Sequence, residues 1–251
     1  MKDDGLDHSF GYQAVAPAER QRRIRKLFQA VAPRYDLMND VMSMGIHRLW
    51  KRRFVADLPR RGVVVDLAGG TGDVGRLLAR EPGRRVVVCD PSLAMMAAGQ
   101  QRSASPSDPI AWAAGEAERL PFADGSVAVL TVAFGLRNTT HLAAALAEAA
   151  RVLAPGGVFA CLEFSRPAAW LRPFYDLYSF LVIPRLGAWI AREPAAYQYL
   201  VESIRRFPDQ GEFAGMIRQA GLEQVGWRNL SFGIACIHKA VKPLATSGGA
   251  A

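Results

Sequence analysis

Residues 63–75 read VVVDLAGGTGDVG, a run of valines that ends in an aspartate and a glycine-rich loop. A buried strand that turns through glycines into a helix predicts a ligand site, because free N–H groups and a bare backbone lie at the helix N-terminus. Gly70, Gly72 and Gly75 have the G-x-G-x-x-G spacing of dinucleotide-binding proteins, and an acidic residue, Asp90, follows about twenty residues later. The stretch therefore predicts a nucleotide-like cofactor, but the glycines alone do not identify it.

Strands and helices alternate along the chain from this stretch onward. We predict strands at 63–67, 85–89, 110–113, 127–133 and 158–164, separated by helices at 73–80, 92–101 and 141–153. This alternation is typical of a parallel, doubly wound sheet.

The C-terminal part of the chain breaks the alternation. After a helix at 210–220, strands at 224–230 and 234–239 are joined by only three residues, 231–233. So short a joint permits an antiparallel hairpin and excludes a parallel crossover, which needs a dozen or more residues. A mostly parallel sheet that ends in an antiparallel hairpin is the plan of class I methyltransferases rather than of dinucleotide dehydrogenases.

The chain length favours one domain with additions. With 251 residues, 50% of them hydrophobic, the chain can bury one large core. We predict a single α/β, Rossmann-like domain at 19–241, with an N-terminal helical segment at 19–61 and an inserted helical cap at 168–206. Residues 1–18 and 242–251 are predicted to be flexible.

Composition bears on compartment and partners. The net charge is +8, and residues 1–61 carry most of the excess. The helix predicted at 19–32 has a basic face, which is either a solvated face or a contact for nucleic acid or an anionic membrane. The longest apolar stretch, 174–191, is interrupted by charges and falls short of the ~20 residues of a membrane span. With no signal peptide apparent, we expect a cytoplasmic protein.

The three cysteines, Cys89, Cys161 and Cys236, lie in apolar, strand-like contexts with no C-x-x-C pair. This predicts buried thiols rather than a disulfide frame or a zinc site. We expect no metal.

Two carboxylates bear on the choice of cofactor. Asp66, just before the loop, would repel a pyrophosphate but favour the ammonium and sulfonium of S-adenosylmethionine. Alternatively, it caps the loop. Asp90 can accept from two ribose hydroxyls of either cofactor, or it caps the next helix, a role that Ser92 can also fill.

Eight segments then carry a resemblance to a known family. They are YDLMNDVMSMGIHRLWK (35–51), VVDLAGGTGDV (64–74), AERLPF (117–122), AFGLRN (133–138), RVLAPGG (151–157), LEFSRP (162–167), FYDLYSF (174–180) and YQYLVESIRRFPDQ (197–210). From about residue 28 to 242 the chain is similar to the quinone-biosynthesis C-methyltransferases, which methylate demethylmenaquinol or 2-methoxy-6-polyprenyl-1,4-benzoquinol. The resemblance implies S-adenosylmethionine as cofactor and a polyprenylated benzoquinol or naphthoquinol as substrate, in ubiquinone and/or menaquinone biosynthesis.

The resemblance also implies cofactor contacts. The residues concerned are Asp66, Gly70, Thr71 and Gly72 of the loop, Asp90 for the ribose, Glu116 and Ala117 against the adenine, and Ala133. The family commonly has Asn in place of Glu116. The carboxylate of Glu116 can accept from an adenine amino group, but unlike an amide it cannot donate to a ring nitrogen. The family often has Ser in place of Ala133, so one polar contact is lost here.

Methylation of an aromatic carbon requires an electron-rich ring, which a quinol becomes when a hydroxyl loses its proton. Much of the rate should come from positioning and from stabilising phenolate charge. Arg137, next to Asn138 at the carboxyl end of a central strand, is the candidate stabiliser. Because it stays charged, we expect it to lower the pKa of the quinol and to order a water that takes the proton. The alternative is a structural salt bridge.

Three further residues are candidates for the site. Tyr35 and His47 belong to the N-terminal signature that should fold over the site, and His47 is expected to titrate near neutrality unless it is structural. Glu163 is either a proton acceptor or a partner of Arg166 or of backbone donors.

The predicted cap is rich in large apolar side chains. Those that are candidates to wall the polyprenyl tail, or else to pack the cap onto the domain, are Phe174, Tyr175, Tyr178, Phe180, Leu181, Ile183 and Trp189. Together with the basic N-terminal helix, they predict peripheral contact with the inner face of the membrane. A homodimer and a quinone-biosynthesis complex are further expectations.

Two other functions remain open at this point. A nicotinamide-dependent oxidoreductase would explain the glycine spacing, but neither the PGG at 155–157 nor the terminal hairpin. An RNA-binding methyltransferase would use the basic helix, yet no nucleic-acid module is recognisable, and we expect no nucleic-acid partner.

Overall fold

The computed structural model describes residues 8–31, 40, 43–102, 110–178 and 194–244. The strands, in chain order, are β1 (Ser9–Phe10), β2 (Gln13–Ala14), β3 (Gly62–Leu67), β4 (Arg84–Asp90), β5 (Ile110–Ala114), β6 (Val127–Ala133), β7 (Leu153–Phe164), β8 (Glu223–Leu230) and β9 (Ala235–Val241). The α-helices are α1 (Pro17–Val31), α2 (Ile46–Ala56), α3 (Asp73–Leu78), α4 (Leu93–Arg102), α5 (Leu142–Val152), α6 (Arg172–Leu177), α7 (Pro194–Arg206) and α8 (Gln210–Gln219).

Seven strands form one sheet in the order β5-β4-β3-β6-β7-β9-β8. The first five in this order pair in parallel, and β9 pairs antiparallel with both β7 and β8. The predicted mostly parallel sheet with a C-terminal antiparallel hairpin is therefore confirmed. The strand order reverses between β3 and β6, which opens a crevice at their carboxyl ends, where open α/β sheets bind ligands.

The valine runs form central strands because both of their faces are buried. Val65 and Leu130 pack under α5 and α8, whereas Val64 and Val129 pack against α2 and α3 on the other face. Each such side chain contributes about 1.5–3 kcal/mol when it leaves water. The two apolar layers thus fix the sheet as a rigid platform beneath the crevice.

The glycine-rich loop needs glycine where the backbone is crowded. Gly72, the residue before α3, has φ +80°, and a Cβ there would lie 2.7 Å from the ring of Trp112. Gly135, after β6, has a similar constraint, since its Cβ would lie 2.6 Å from the Cβ of Ala68. The two loops at the reversal of strand order are therefore packed directly against each other.

The N-terminal stretch differs from the flexible segment predicted at residues 1–18. Strands β1 and β2 pair as a short hairpin. The N–H of Tyr12 donates to Glu202 at 2.8 Å, and the ring of Phe10 stacks on Tyr199 at 4.4 Å. Residues 9–14 thus rest on α7 through long-range partners that local sequence patterns do not reveal.

Two smaller predictions are settled by burial and helix length. Cys89, Cys161 and Cys236 are buried and free, as predicted. Within the described ranges, no helix combines the length and the apolar character needed to cross a membrane.

Candidate active site

Two cavities lie at the carboxyl edge of the sheet. The glycine-loop cavity, about 110 Å³, is lined by residues that include Phe28 of α1, Gly70, Asp90, Glu116 and Asn138. The aromatic cavity, about 270 Å³, is lined by residues that include His47, Trp50, Phe134, Arg137, Phe164 and Tyr178. The loop after β6 forms part of both walls, because Arg137 faces one cavity and Asn138 the other.

Asp90 closes β4 and is the best-organised polar group of the glycine-loop cavity. Its Oδ2 accepts from the N–H of Gly70 at 2.8 Å, and its Oδ1 accepts from the N–H of Ser92 at 2.8 Å. Burial raises the pKa of this carboxyl, although both backbone donors oppose the rise. Each oxygen keeps a lone pair for a further donor. Ser92 takes the capping role of the next helix, because its Oγ accepts from the N–H of Met95.

The other loop residues take different positions. Gly70 lines the cavity, whereas Thr71 and Gly72 do not, and the carbonyl of Thr71 accepts from Arg76 at 2.8 Å. Ala133 is partly buried against an apolar cluster and lines neither cavity. Contacts of these three residues with a cofactor stay predictions.

Asp66 lies beneath the glycine-rich loop rather than in a cavity wall. It is 1% exposed, and its Oδ1 accepts from the hydroxyl of Thr131 at 3.0 Å. Burial raises its pKa to about 7, while Thr131 and the backbone N–H of Gly75 oppose that rise. Its predicted attraction to a cationic ligand would therefore act through the loop, and direct contact stays a prediction.

Glu116 and Ala117 line the glycine-loop cavity, and their predicted contact with the adenine stays a prediction. The carboxylate of Glu116 also accepts from Gln21 at 2.9 Å and pairs with the guanidinium of Arg25. Gln21 and Arg25 belong to α1, which covers this cavity. Glu116 thus acts as a clasp between the cavity wall and its covering helix.

Arg20 of α1 is an important residue that the sequence reasoning missed. It is 2% exposed and donates to the carbonyls of Ser9, Arg137, Asn138 and Thr139 at 2.6–3.1 Å. It therefore fixes the loop that separates the two cavities. A signal was present in the sequence: Arg20 precedes Ile24 and Phe28 at spacings of four, which places it on the apolar face of the helix.

Arg137 lies in the aromatic cavity in a buried ion pair. Its Nη1 donates to Glu163 at 3.0 Å and to the carbonyl of Phe134 at 2.5 Å. The guanidinium also lies 5.3 Å from the centre of the Phe164 ring. Arg137 thus forms the salt bridge considered as the alternative and also lines the cavity, while its role as charge stabiliser stays a prediction. Glu163 binds Arg137 rather than Arg166, and its burial raises its pKa despite the facing cation.

Asn138 turns the other way. Its Oδ1 accepts from the hydroxyl of Tyr199 at 3.1 Å, and its Nδ2 lies 3.5 Å from the carbonyl of Phe134. Held in this way, it contributes to the glycine-loop cavity and not to the aromatic one.

His47 lines the aromatic cavity, but the expectation that it titrates near neutrality is wrong. Burial and the neighbouring charge of Lys51 lower its pKa to about 4, against the opposing effect of Asp40. Ser43 Oγ lies 2.7 Å from Nδ1, and Asp40 lies 3.7 Å from Nε2. The imidazole is therefore neutral at pH 7.

Lys51 is a second residue that the sequence reasoning missed. It lines the aromatic cavity, is 7% exposed, and its Nζ lies 3.2 Å from Asp73 Oδ2. The cavity thus holds two cationic side chains among mostly apolar walls.

The predicted cap contributes apolar walls where it is described. Phe174, Tyr175 and Tyr178 line the aromatic cavity, as do Leu200 and Ile204 of α7. Four other predicted tail contacts, namely Phe180, Leu181, Ile183 and Trp189, lie outside the described residues, and so does Tyr35.

Comparison with known proteins places these features in context. The model of the ubiE/COQ5 methyltransferase family matches residues 16–242. The ubiquinone/menaquinone biosynthesis C-methyltransferase UbiE of Rubrivivax gelatinosus is 62% identical over 96% of this chain and 96% of that protein. The mitochondrial 2-methoxy-6-polyprenyl-1,4-benzoquinol methylase of Caenorhabditis elegans is 45% identical over 96% of this chain and 87% of that protein.

Solved structures bear on the fold. A Thermotoga maritima structure described as a SAM-dependent methyltransferase, possible histamine N-methyltransferase, has a TM-score of 0.63 and 19% identity. The likeness covers 87% of this chain and 99% of that one. The class I methyltransferase fold predicted from the sequence is thereby confirmed.

Proposed function

The chain belongs to the ubiE/COQ5 methyltransferase family and is an S-adenosylmethionine-dependent C-methyltransferase of ubiquinone and/or menaquinone biosynthesis; from this premise we propose a place for each reactant. The methyl donor occupies the glycine-loop cavity, and a polyprenylated benzoquinol or naphthoquinol occupies the aromatic cavity. The observation that carries the proposal is the wall at residues 134–138, which presents Asn138 to one cavity and Arg137 to the other.

The residues of the glycine-loop cavity fit S-adenosylmethionine. The lone pairs left on Asp90 suit the two ribose hydroxyls, and Ile24, Phe28 and Met95 offer apolar surface to an adenine. Glu116 and Ala117 would lie at the adenine end. When bound, S-adenosylmethionine supplies an electrophilic methyl group.

Arg137 has the position and charge to activate the quinol. A guanidinium fixed by Glu163 and lying against the rings of Phe134 and Phe164 needs little reorganisation when phenolate charge develops. Low polarity around it strengthens that interaction. Arg137 thereby lowers the pKa of the quinol hydroxyl and orders the water that takes its proton.

After methylation the ring carbon must lose its proton, so that the ring regains its aromaticity, and the phenolate oxygen then takes a proton back; one proton is released in all. The imidazole of His47 lines the same cavity and is neutral at pH 7, so one ring nitrogen has a free lone pair, although its lowered pKa makes it a weak base. We assign this step to His47, with Ser43 orienting the ring through Nδ1.

The experiment that tests the proposal is methyl transfer from labelled S-adenosylmethionine to demethylmenaquinol and to 2-methoxy-6-polyprenyl-1,4-benzoquinol. We expect label on the ring carbon of one or both quinols. Calorimetry should show binding of S-adenosylhomocysteine and no binding of NADH. A protein that binds neither the donor nor its demethylated product would overturn the assignment of the glycine-loop cavity.

Exposed apolar side chains near the aromatic cavity support contact with a membrane. Met44 and Phe174 line the cavity and are 74% and 69% exposed, and Trp170 packs edge to face on Phe232 at 5.2 Å, next to the lining residue Ser231. A polyprenylated substrate resides in a bilayer, so a cavity mouth with an apolar rim suits its transfer. This supports a location at the inner face of the membrane. A homodimer and membership of a quinone-biosynthesis complex remain predictions.

A further inference from the structure

Lys51 is a charged residue of the aromatic cavity to which the proposed methylation gives no role. It follows His47 by four positions on α2, so the two side chains share one face of the helix. Ser43, whose Oγ lies 2.7 Å from Nδ1 of His47, lines the cavity with them. Arg48 and Arg52, one position further along, are exposed. The segment therefore directs one of its cations inward and leaves the others in water.

A buried ammonium needs partners, because removing it from water is costly. Lys51 is 7% exposed and has three N–H donors, and within the described part of the chain its acceptor is Asp73 Oδ2 at 3.2 Å. Asp73 is itself partly exposed and shares its other oxygen with Arg76 at 3.1 Å. Donor capacity is thus left over on Lys51 at the wall of the cavity.

The substrate class offers the matching acceptor. A 1,4-quinol carries two oxygens on opposite ring carbons, and Arg137 accounts for one of them. Lys51 and Arg137 come from different elements, α2 and the loop after β6, and the rest of the cavity wall is mostly aromatic and aliphatic. A second ring oxygen in such a cavity would lose hydrogen bonds to water unless a protein donor replaced them.

We propose that Lys51 donates to the second ring oxygen of the quinol, opposite the oxygen that Arg137 stabilises, and so fixes which ring carbon faces the methyl donor. This assignment rests on the proposed function. Lys51 acts as a cation that binds and orients the quinol. Its ion pair with Asp73, the first residue of α3, connects the quinol site to the glycine-rich loop.

The test is a binding cycle on short-tailed quinols. Dissociation constants are measured without oxygen and in the presence of S-adenosylhomocysteine, for the 1,4-diol and for the two analogues that each lack one ring hydroxyl. The proteins compared are the wild type, Lys51→Met, Lys51→Arg and the control Arg52→Met, which removes an exposed cation from the same helix.

Lys51→Met should weaken binding of the diol by about 10- to 100-fold, the range expected for a hydrogen bond to a charged group. For the analogue that lacks the oxygen held by Lys51, wild type and Lys51→Met should bind within about twofold of each other. Lys51→Arg should recover part of the loss, and Arg52→Met should resemble the wild type.

Equal losses for the diol and for both analogues would overturn the proposal, because they would mark Lys51 as a packing residue only. An unchanged dissociation constant of Lys51→Met for the diol would also overturn it. If Lys51→Met does not fold, Lys51→Gln takes its place in the same cycle. Failure of the wild type to methylate any quinol would instead contradict the proposed function, so the two failures are distinguishable.

Discussion

At the scale of single residues, the site depends on how charge is held in a mostly apolar cavity. Arg137 and Glu163 are 5% and 2% exposed, so each compensates the other. Breaking such a pair on one side costs more than removing both charges together. A single substitution at Arg137 therefore mixes a loss of stability with a loss of catalysis.

A paired substitution separates the two effects. Arg137→Gln should lower kcat by about 10²–10³-fold, as the loss of a preorganised donor does, and should destabilise the fold by about 3–5 kcal/mol. Arg137→Gln combined with Glu163→Gln should regain most of the stability and stay inactive. Urea unfolding and labelled methyl transfer measure the two quantities. Recovery of activity in the double variant would show that Arg137 is structural.

The pH dependence of stability should report His47. Its pKa is about 4 in the folded protein and about 6.5 in the unfolded chain, so between these values the unfolded chain binds more protons. The resulting stabilisation is present above pH about 6.5 and is lost as the pH falls to about 4, and it amounts to about 3 kcal/mol. Urea unfolding at pH 7 and pH 4.5 should show a smaller difference for His47→Gln than for the wild type. Equal differences in both proteins would contradict the assigned pKa.

At the scale of elements, α1 covers the glycine-loop cavity and also holds the loop after β6 in place. Its Arg20 holds the loop after β6, while Gln21 and Arg25 hold Glu116 across the glycine-loop cavity. The hydrogen bonds of Arg20 are buried, whereas the Arg25 and Glu116 side chains are 50% and 39% exposed. The clasp is therefore the weaker of the two attachments, and we expect it to open when ligand exchanges.

Opening of the clasp should appear in ligand release. Glu116→Ala and Arg25→Ala should each speed dissociation of S-adenosylhomocysteine by about two- to fivefold, the effect of an exposed ion pair. Arg22→Ala is the control, because Arg22 pairs with Glu19 within α1. Stopped-flow displacement measures the rates. If only Glu116→Ala had an effect, Glu116 would act on the adenine alone.

The elements themselves were largely predictable from the sequence, and the partners of individual side chains were not. Valine runs, the glycine spacing and the short joint at 231–233 depend on local patterns, so the sheet and its terminal hairpin followed from them. Arg20 belonged to a helix with a predicted basic face, and Lys51 was only the last residue of a signature segment. Their roles were not predictable, because their acceptors lie far away along the chain or in another element. The neutral state of His47 likewise depends on burial, which neighbouring residues do not reveal.

At the scale of the whole molecule, exposed apolar side chains, among them Met44 and Phe174, border the aromatic cavity. The basic face of α1 is partly neutralised, since Arg22 and Arg23 both pair with Glu19. Met44, Phe174 and Trp170, near the aromatic cavity, instead leave 74%, 69% and 61% of their surface exposed to water. Membrane contact should therefore depend more on apolar residues than on the N-terminal arginines.

Vesicle binding tests this view. The triple variant Trp170→Ser, Phe174→Ser and Phe232→Ser should bind anionic vesicles at least about tenfold more weakly, because each large apolar side chain contributes about 1.5–3 kcal/mol on leaving water. Trp227→Ser is the matched control, since Trp227 is 48% exposed on strand β8. Neutralising Arg22 and Arg23 should change binding little. Co-sedimentation of the triple variant at the level of the wild type would rule this surface out.

The wall at residues 134–138, which contributes to both cavities, has a consequence for inhibitor design. Because methyl transfer requires the two reactants to meet beside this wall, an adenosine analogue and a hydroquinone joined by a short linker should occupy both cavities at once. Once one half had docked, the other would experience a high effective concentration, so the joined compound should bind far more tightly than either half. Such a molecule would also be selective, because enzymes that use only one of the two halves would gain nothing from the second.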